Sequence, residues 1–182
     1  MDRYRIFKGD NHAYLCTFRF TYWLPVFNAG ESCARIVLDS LDFCRRKKGL
    51  ILHANVLMID HMHMIARHED LSALIRDFKS WTSRQIRAAL EQAGRERWLA
   101  LTETRARAVG AGQESKVWED GAHPKCIESD AMFLQKLEYV HNNPVRKGFV
   151  VRPEDWRWSS AVNYFTDRKG EIEIDRVSPL IA

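Results

Sequence analysis

Two histidines one residue apart, His61 and His63, sit in the stretch "LMIDHMHMIARHED" at 57–70. Alternate side chains of an extended strand share a face, so two neutral imidazoles at this spacing can chelate one divalent ion. His61, His63 and Ile65 then share one face, and Met62, Met64 and Ala66 the other. The methionines suit a helix-covered core, which assigns the histidines to the open face of a sheet. The competing reading is two unrelated polar residues on a solvated face.

The second chemical candidate is Tyr139, in "LEYVHNNPVRKGFV" at 137–150. On a helix over 130–142, Phe133, Leu134, Leu137, Val140 and His141 cluster on one side, and Tyr139 falls almost opposite. A structural tyrosine normally puts its ring into the apolar stripe. This one is expected to point outward, beside Gln135 and Asn143 at i−4 and i+4. An edge-packed tyrosine with no chemical role is the alternative. Asn143 precedes Pro144, which disfavours α geometry there and leaves its direction less fixed than that of Tyr139.

The elements that must position these groups read as follows. An aromatic, alternating strand covers 12–20, and "YWLPVFNAGES" is a loop. A helix begins near Ser32, carries a basic run at 45–48 where the helix dipole favours cations, and is closed by Gly49. Strands at 50–58 and 61–67 form a hairpin about Asp60. Asp70 is the expected N-cap of a helix with the apolar stripe Leu71, Leu74, Ile75, Phe78, Trp81 and Ile86. The stretch 94–115 reads as a helix followed by a glycine-spotted loop. "KVWEDGAHPKCI" reads as a short hairpin around Asp120 and Gly121. The Tyr139 helix starts at Ser129 or Asp130 and is stopped by Pro144. A further short helix lies in "RPEDWRWSSAVNYF", and a tail follows Phe165, with a short strand expected at 171–174. Strand, helix, strand, strand, helix, strand is the βαββαβ order of an α+β ferredoxin-like sandwich, with an antiparallel sheet and extra C-terminal helices.

The chain of 182 residues suits one domain, over 1–165, with a tail over 166–182. A hydrophobic fraction of 46% with 29% charged residues is that of a globular protein. No apolar run is long enough to span a membrane, and the N-terminal "MDRYRIFKGD" lacks the apolar core of a secretory signal, so a cytoplasmic protein is expected. The four cysteines form no CxxC pair and read as reduced core residues. The net charge of +4 permits an anionic partner without requiring one. Basic clusters beside six tryptophans suit single-stranded nucleic acid, although a solvated basic face has the same composition.

Taken together, the motifs resemble those of the single-tyrosine HUH transposases, and within them the REP-associated tyrosine transposases. The resemblance lies in "VLMIDHMHMIA" (56–66), "FKSWTSRQI" (78–86), "VWEDGAHPKCI" (117–127), "LEYVHNNPVRKGFV" (137–150) and "WRWSSAVNY" (156–164), in the family's order. The combination of MxxHxH with a later YxxxNPVR is far more specific than either part. The resemblance implies an enzyme that cuts and rejoins single-stranded DNA, on hairpins such as REP elements, and that works as a monomer rather than a helix-swapped dimer. It makes His61 and His63 the metal ligands, with Met62 as the apolar residue between them. Asn143 occupies the third, amide-type ligand position, and Tyr139 is the nucleophile that forms a 5′-phosphotyrosine. The cofactor is then a divalent ion, Mg²⁺ or Mn²⁺. Lys79, Arg84 and Arg146 are the expected DNA-binding cations.

Two rivals come from other classes. A non-catalytic nucleic-acid-binding protein on the same fold would keep the basic patches and have no use for the tyrosine or the histidine pair. A structural zinc domain would use His61 and His63 with Cys126 or His123, but zinc sites usually show close ligand pairs in both halves.

Overall fold

The computed structural model describes residues 6, 9, 12–23, 30–108 and 116–176. Parts of the expected 22–32 loop (24–29), of the glycine-spotted loop (109–115) and of the tail (177–182) lie outside the described residues.

Strand β1 covers Ala13–Arg19, where aromatic and apolar residues at alternate positions suit a pleated, half-buried surface. Helix α1 covers Glu31–Lys48 and ends at Gly49, whose φ of 73° is a left-handed conformation that glycine adopts without a steric penalty. Strands β2 (Ile51–Leu57) and β3 (His61–Arg67) follow. Helix α2 covers Leu71–Gln92, and its N-cap Asp70 accepts a hydrogen bond from the Ala73 amide at 3.0 Å. Helix α3 (Glu96–Ala108) packs on α2. Strand β4 is Lys125–Ile127, and helix α4 is Asp130–His141, capped by the Ser129 hydroxyl. Two short helices, α5 (Asn143–Arg146) and α6 (Ala161–Phe165), follow.

The strands form one antiparallel sheet in the order β2-β3-β1-β4, the ferredoxin-like order that the alternation of elements predicts. Helices α1 and α2 cover one face, burying Cys16, Phe18, Met62, Met64 and Ala66 in the main core. The second face carries a smaller cluster of Leu15, Ala54, Val56, Ile65, Ile127 and Val140, with Phe133 and Leu137 of α4 packed on it. The histidine face is therefore partly roofed by α4, where the sequence pattern predicted an open face.

Three local expectations are corrected. Residues 117–127 do not fold back on themselves as a hairpin. Trp118 bridges Phe20, the Thr17 amide bonds the Ala122 carbonyl, and Lys125–Ile127 pairs with β1, so the whole segment runs along one edge of β1. The turn residues at Asp120 and Gly121 interrupt an edge strand instead of reversing it. Trp81 is 42% exposed, and the fully buried Thr82 takes its place in the α2 stripe. From Phe78 the core position is i+4, and the Thr82 hydroxyl stays satisfied there by donating to the Phe78 carbonyl at 2.7 Å. Residues 171–174 form no strand, yet Ile172 is buried in the main core and Glu171 binds Arg35 and Arg157 at 2.6 Å each.

Two polar contacts inside this frame have measurable consequences. Trp118 Nε1–H donates to the Thr82 hydroxyl at 2.8 Å within the core. Thr82→Val keeps the shape and orphans that donor, which should cost about 1–3 kcal/mol in urea unfolding at unchanged m-value. Thr82→Ser should recover most of the loss. Lys79 reaches under the edge segment to donate to the Glu119 carbonyl at 2.8 Å and to the Gly121 carbonyl. Burial pushes its ammonium down from 10.5 to about 8. Between those two values the unfolded chain holds a proton that the folded chain has released, so folding stability rises with pH across that window and is flat below it. Wild type should gain stability relative to Lys79→Met between pH 8 and 10.5; parallel stability curves for the two proteins would refute this.

Candidate active site

The β2–β3 turn fixes the first histidine. The Met58 amide bonds the His61 carbonyl at 2.7 Å, and the Phe20 amide bonds the Asp60 carbonyl at 3.0 Å. Pairing of β1 with β3 then sets Thr17 opposite His63 and Arg19 opposite His61. All four side chains stand on the α4 face of the sheet, as their alternation requires.

The two imidazoles are neighbours, with ring centroids 4.8 Å apart at 77°. Each is oriented through Nδ1. His61 Nδ1 lies 2.5 Å from the Asp60 carboxylate, and His63 Nδ1 lies 2.8 Å from the Thr17 hydroxyl. A carboxylate can only accept, so His61 carries its proton on Nδ1 in that contact. Both rings are thereby aligned with Nε2 left as the remaining nitrogen. Fixing one imidazole nitrogen through an outer partner is the usual way a histidine is prepared as a ligand. His63 is only 5% exposed. Burial, with His61 and Arg19 nearby, lowers its pKa to about 3, so the ring is neutral at ordinary pH, as a ligand must be.

Tyr139 completes the cluster. Its ring is T-shaped to His63 with centroids 5.2 Å apart, and its hydroxyl oxygen is 3.5 Å from His63 Nε2. That separation is at the outer limit of a hydrogen bond, so the phenol is adjacent to the imidazole without being held by it. Tyr139 is half-buried against the sheet, which corrects the outward direction expected from the helical wheel. Leu134 is 64% exposed and does not belong to the covered stripe, so the covered face of α4 is rotated toward the tyrosine.

The end of α4 is clamped. His141 is buried, with Nε2 3.0 Å from the Ser160 hydroxyl, and Ser160 bonds both backbone groups of Asn55 on β2. Trp156 Nε1–H donates to the Leu57 carbonyl at 2.9 Å, and the Leu57 amide donates to the Trp158 carbonyl. Asn143 opens α5 one turn past Tyr139 and is 6% exposed. Pro144 sits in the first turn of α5, where its missing amide hydrogen costs nothing, so helical geometry is kept through the junction. Arg146 is exposed, with its guanidinium 5.8 Å from the Tyr139 ring centroid.

The structure brings together His61, His63, Tyr139 and Arg146. Lys79 and Arg84 instead lie on α2, across the sheet, and the Lys79 ammonium is engaged by carbonyls. Cys126 packs on the main core, away from the histidine pair. Among the described residues, no three His, Cys, Asp or Glu side chains lie close enough to hold a metal ion. An ion on the histidine pair would need a donor of another kind, such as an amide or the oxygens of a bound phosphate. Sequence reasoning missed Thr17, Arg19, Asp60, His141 and Ser160. Thr17 and Arg19 were detectable as the polar alternate positions of β1, and Asp60 only as the neighbour of His61. His141 was counted into the apolar stripe, and its pairing with Ser160 spans 19 positions.

Comparison with protein-family models and with curated proteins gives no match. Among solved structures, the fold is similar to that of a REP-associated tyrosine transposase bound to a REP hairpin, with a TM-score of 0.60 over 100% of both chains and 17% sequence identity. At that identity the likeness is one of fold, an α+β plan shared with that protein.

Proposed function

We propose that this chain is a metal-dependent enzyme that cleaves and rejoins single-stranded hairpin DNA through Tyr139. The observation that carries the reading is the Tyr139 hydroxyl 3.5 Å from the Nε2 atom of a buried, neutral histidine whose neighbour is another oriented histidine. A DNA-binding role alone would leave that arrangement without a use. The likeness in fold to a transposase bound to a REP hairpin supports the choice of substrate.

His61 and His63 would hold a divalent cation through their Nε2 atoms, with Asn143 as the amide donor. Imidazoles suit Mn²⁺, whereas Mg²⁺ prefers oxygen, and a site completed by phosphate oxygens accepts either. The cation supplies charge neutralisation at the scissile phosphate. Tyr139 attacks phosphorus with its phenol oxygen. The phenol loses its proton, the bond from phosphorus to the 3′-oxygen breaks, and that oxygen takes up a proton. The products are a 5′-phosphotyrosine and a free 3′-hydroxyl. Because the phosphoester is conserved on the protein, a second 3′-hydroxyl can reverse the step and join strands. Arg146, beside the phenol ring, is placed to meet the phosphate. Arg19, exposed on the same face, brings a second positive charge to the histidine end of the sheet.

The direct test incubates end-labelled single-stranded hairpins with protein and Mn²⁺ or Mg²⁺ and looks for a covalent adduct on a denaturing gel. Wild type should give a metal-dependent band that Tyr139→Phe and His61→Ala both lose. Binding by gel shift without any band would return the protein to a non-catalytic DNA-binding role. A second measurement addresses the outer partners: Thr17→Val releases His63 Nδ1 and should weaken Mn²⁺ binding by about 10–100-fold in titration calorimetry, with the fold retained. Unchanged affinity would remove Thr17 as the partner that prepares His63, and unchanged affinity in His63→Ala would remove His63 from the ligand set.

A further inference from the structure

The same face of the sheet carries a second feature at its other end. A cleft of about 290 Å³ opens between the start of β2, the end of β3, α4 and residues 175–176, lined by Ile51, His53, Arg67, Phe133, Asp175 and Arg176. Arg67 shares the strand face of His61 and His63, and lies about 13 Å from His63 at the rise of an antiparallel strand. Phe133 precedes Tyr139 on α4 by about 9 Å of helix. The two sites are thus the two ends of one surface, separated by a few nucleotides' reach.

The lining has the chemistry of a nucleotide site. Phe133 presents an aromatic ring, with His53 edge-on to it at 5.5 Å between centroids. His53 Nδ1 donates to the Asp175 carbonyl at 2.8 Å, which leaves Nε2 as an acceptor. Burial lowers the His53 pKa and keeps the ring neutral, so it can accept from the amino group of a base. The charge balance is positive. Arg67 and Arg176 contribute two cations; Arg176 lies over the Tyr164 ring at 5.9 Å and donates one N–H to the Asn163 carbonyl, which leaves its charge in place. The Asp175 carboxylate is taken up by Arg45 at 3.2 Å and by the Leu52 amide at 2.9 Å. The volume is at the small end of ligand pockets, enough for one unit rather than a run of bases.

We propose that this cleft binds a single nucleotide, its base against Phe133 and His53 and its phosphate toward Arg67 and Arg176. That the nucleotide belongs to the strand being cut rests on the function proposed above; a free mononucleotide has the same chemistry, and the experiment separates the two.

In Tyr139→Phe protein, which cannot cleave, backbone amide shifts are followed on adding each deoxynucleoside monophosphate and, separately, inorganic phosphate. Mononucleotides should shift Ile51, His53 and Arg67 and leave His61 unmoved. Arg176→Gln, a change on an exposed residue, should weaken the effect roughly tenfold, and Phe133→Leu should weaken it by a similar factor through lost stacking. No shift at millimolar nucleotide, or an equal shift with phosphate alone, overturns the proposal. A hairpin with one abasic residue moved along its single-stranded flank then identifies the source. One position that weakens wild-type binding roughly tenfold and leaves Phe133→Leu binding unaffected assigns the cleft to the strand. Mononucleotide shifts without any such position assign it to a free nucleotide. Because these readouts need no covalent adduct, the cleft can stand if the cleavage reading fails, and can fall if cleavage is observed.

Discussion

The register between β1 and β3 is the constraint on which the site depends. It sets Thr17 against His63 and Arg19 against His61, and so decides both which imidazole nitrogen is occupied and which charge faces the pair. A shift of one residue would turn both histidines into the α1–α2 core and bring Met62 and Met64 out. The methionines make that slip costly, because they are fully or almost fully buried among apolar neighbours. Core packing on one face therefore enforces chemistry on the other. The edge segment that follows Trp118 adds to the same lock, since Phe20 and Trp118 stack at 4.0 Å between centroids.

Placing Tyr139 is a separate problem, solved from the C-terminal side. Helix α4 is short, and its own apolar surface is modest, so packing alone would leave its end free to rock. The hydrogen bonds through His141, Ser160 and Asn55 tie that end to β2, and the bonds of Leu57 to Trp156 and Trp158 hold the same segment along the edge of the strand. These contacts also cover an edge that would otherwise present unpaired backbone groups. One short segment, 156–160, thus blunts the sheet edge and anchors the tyrosine helix. The resemblance noted in "WRWSSAVNY" acquires a physical role here: serine and tryptophan supply polar atoms that reach the β2 backbone.

Charge is divided between the two faces of the sheet. On the α2 side, Lys79 is used to pin the β1 edge, and its ammonium is given to carbonyls rather than to solvent. On the α4 side, Arg19 and Arg146 stand near the neutral His63, and Arg67 and Arg176 line the cleft beside the neutral His53. Arginine keeps its charge at any ordinary pH, while buried histidines here are held neutral, so one face combines permanent cations with uncharged nitrogen donors.

Periodicity along the chain is enough to specify the order of elements, and with it the strand order of the sheet. The sequence also specifies which face of β3 carries the histidines and the helix boundaries at Gly49 and Asp70, and it narrows the start of the Tyr139 helix to Ser129 or Asp130. These follow from periodicity and from local backbone chemistry, which act over a few residues. The tertiary structure decided what sits opposite each of them. That Thr17 orients His63, that α4 roofs the histidine face with Tyr139 turned inward, that Lys79 is engaged while Arg146 stands beside the phenol, and that residues 117–127 run along β1 all depend on contacts between distant positions. Helical spacing alone could not separate Trp81 from Thr82, or Leu134 from Tyr139, because the faces they occupy are adjacent. Only the surface packed against the helix distinguishes them.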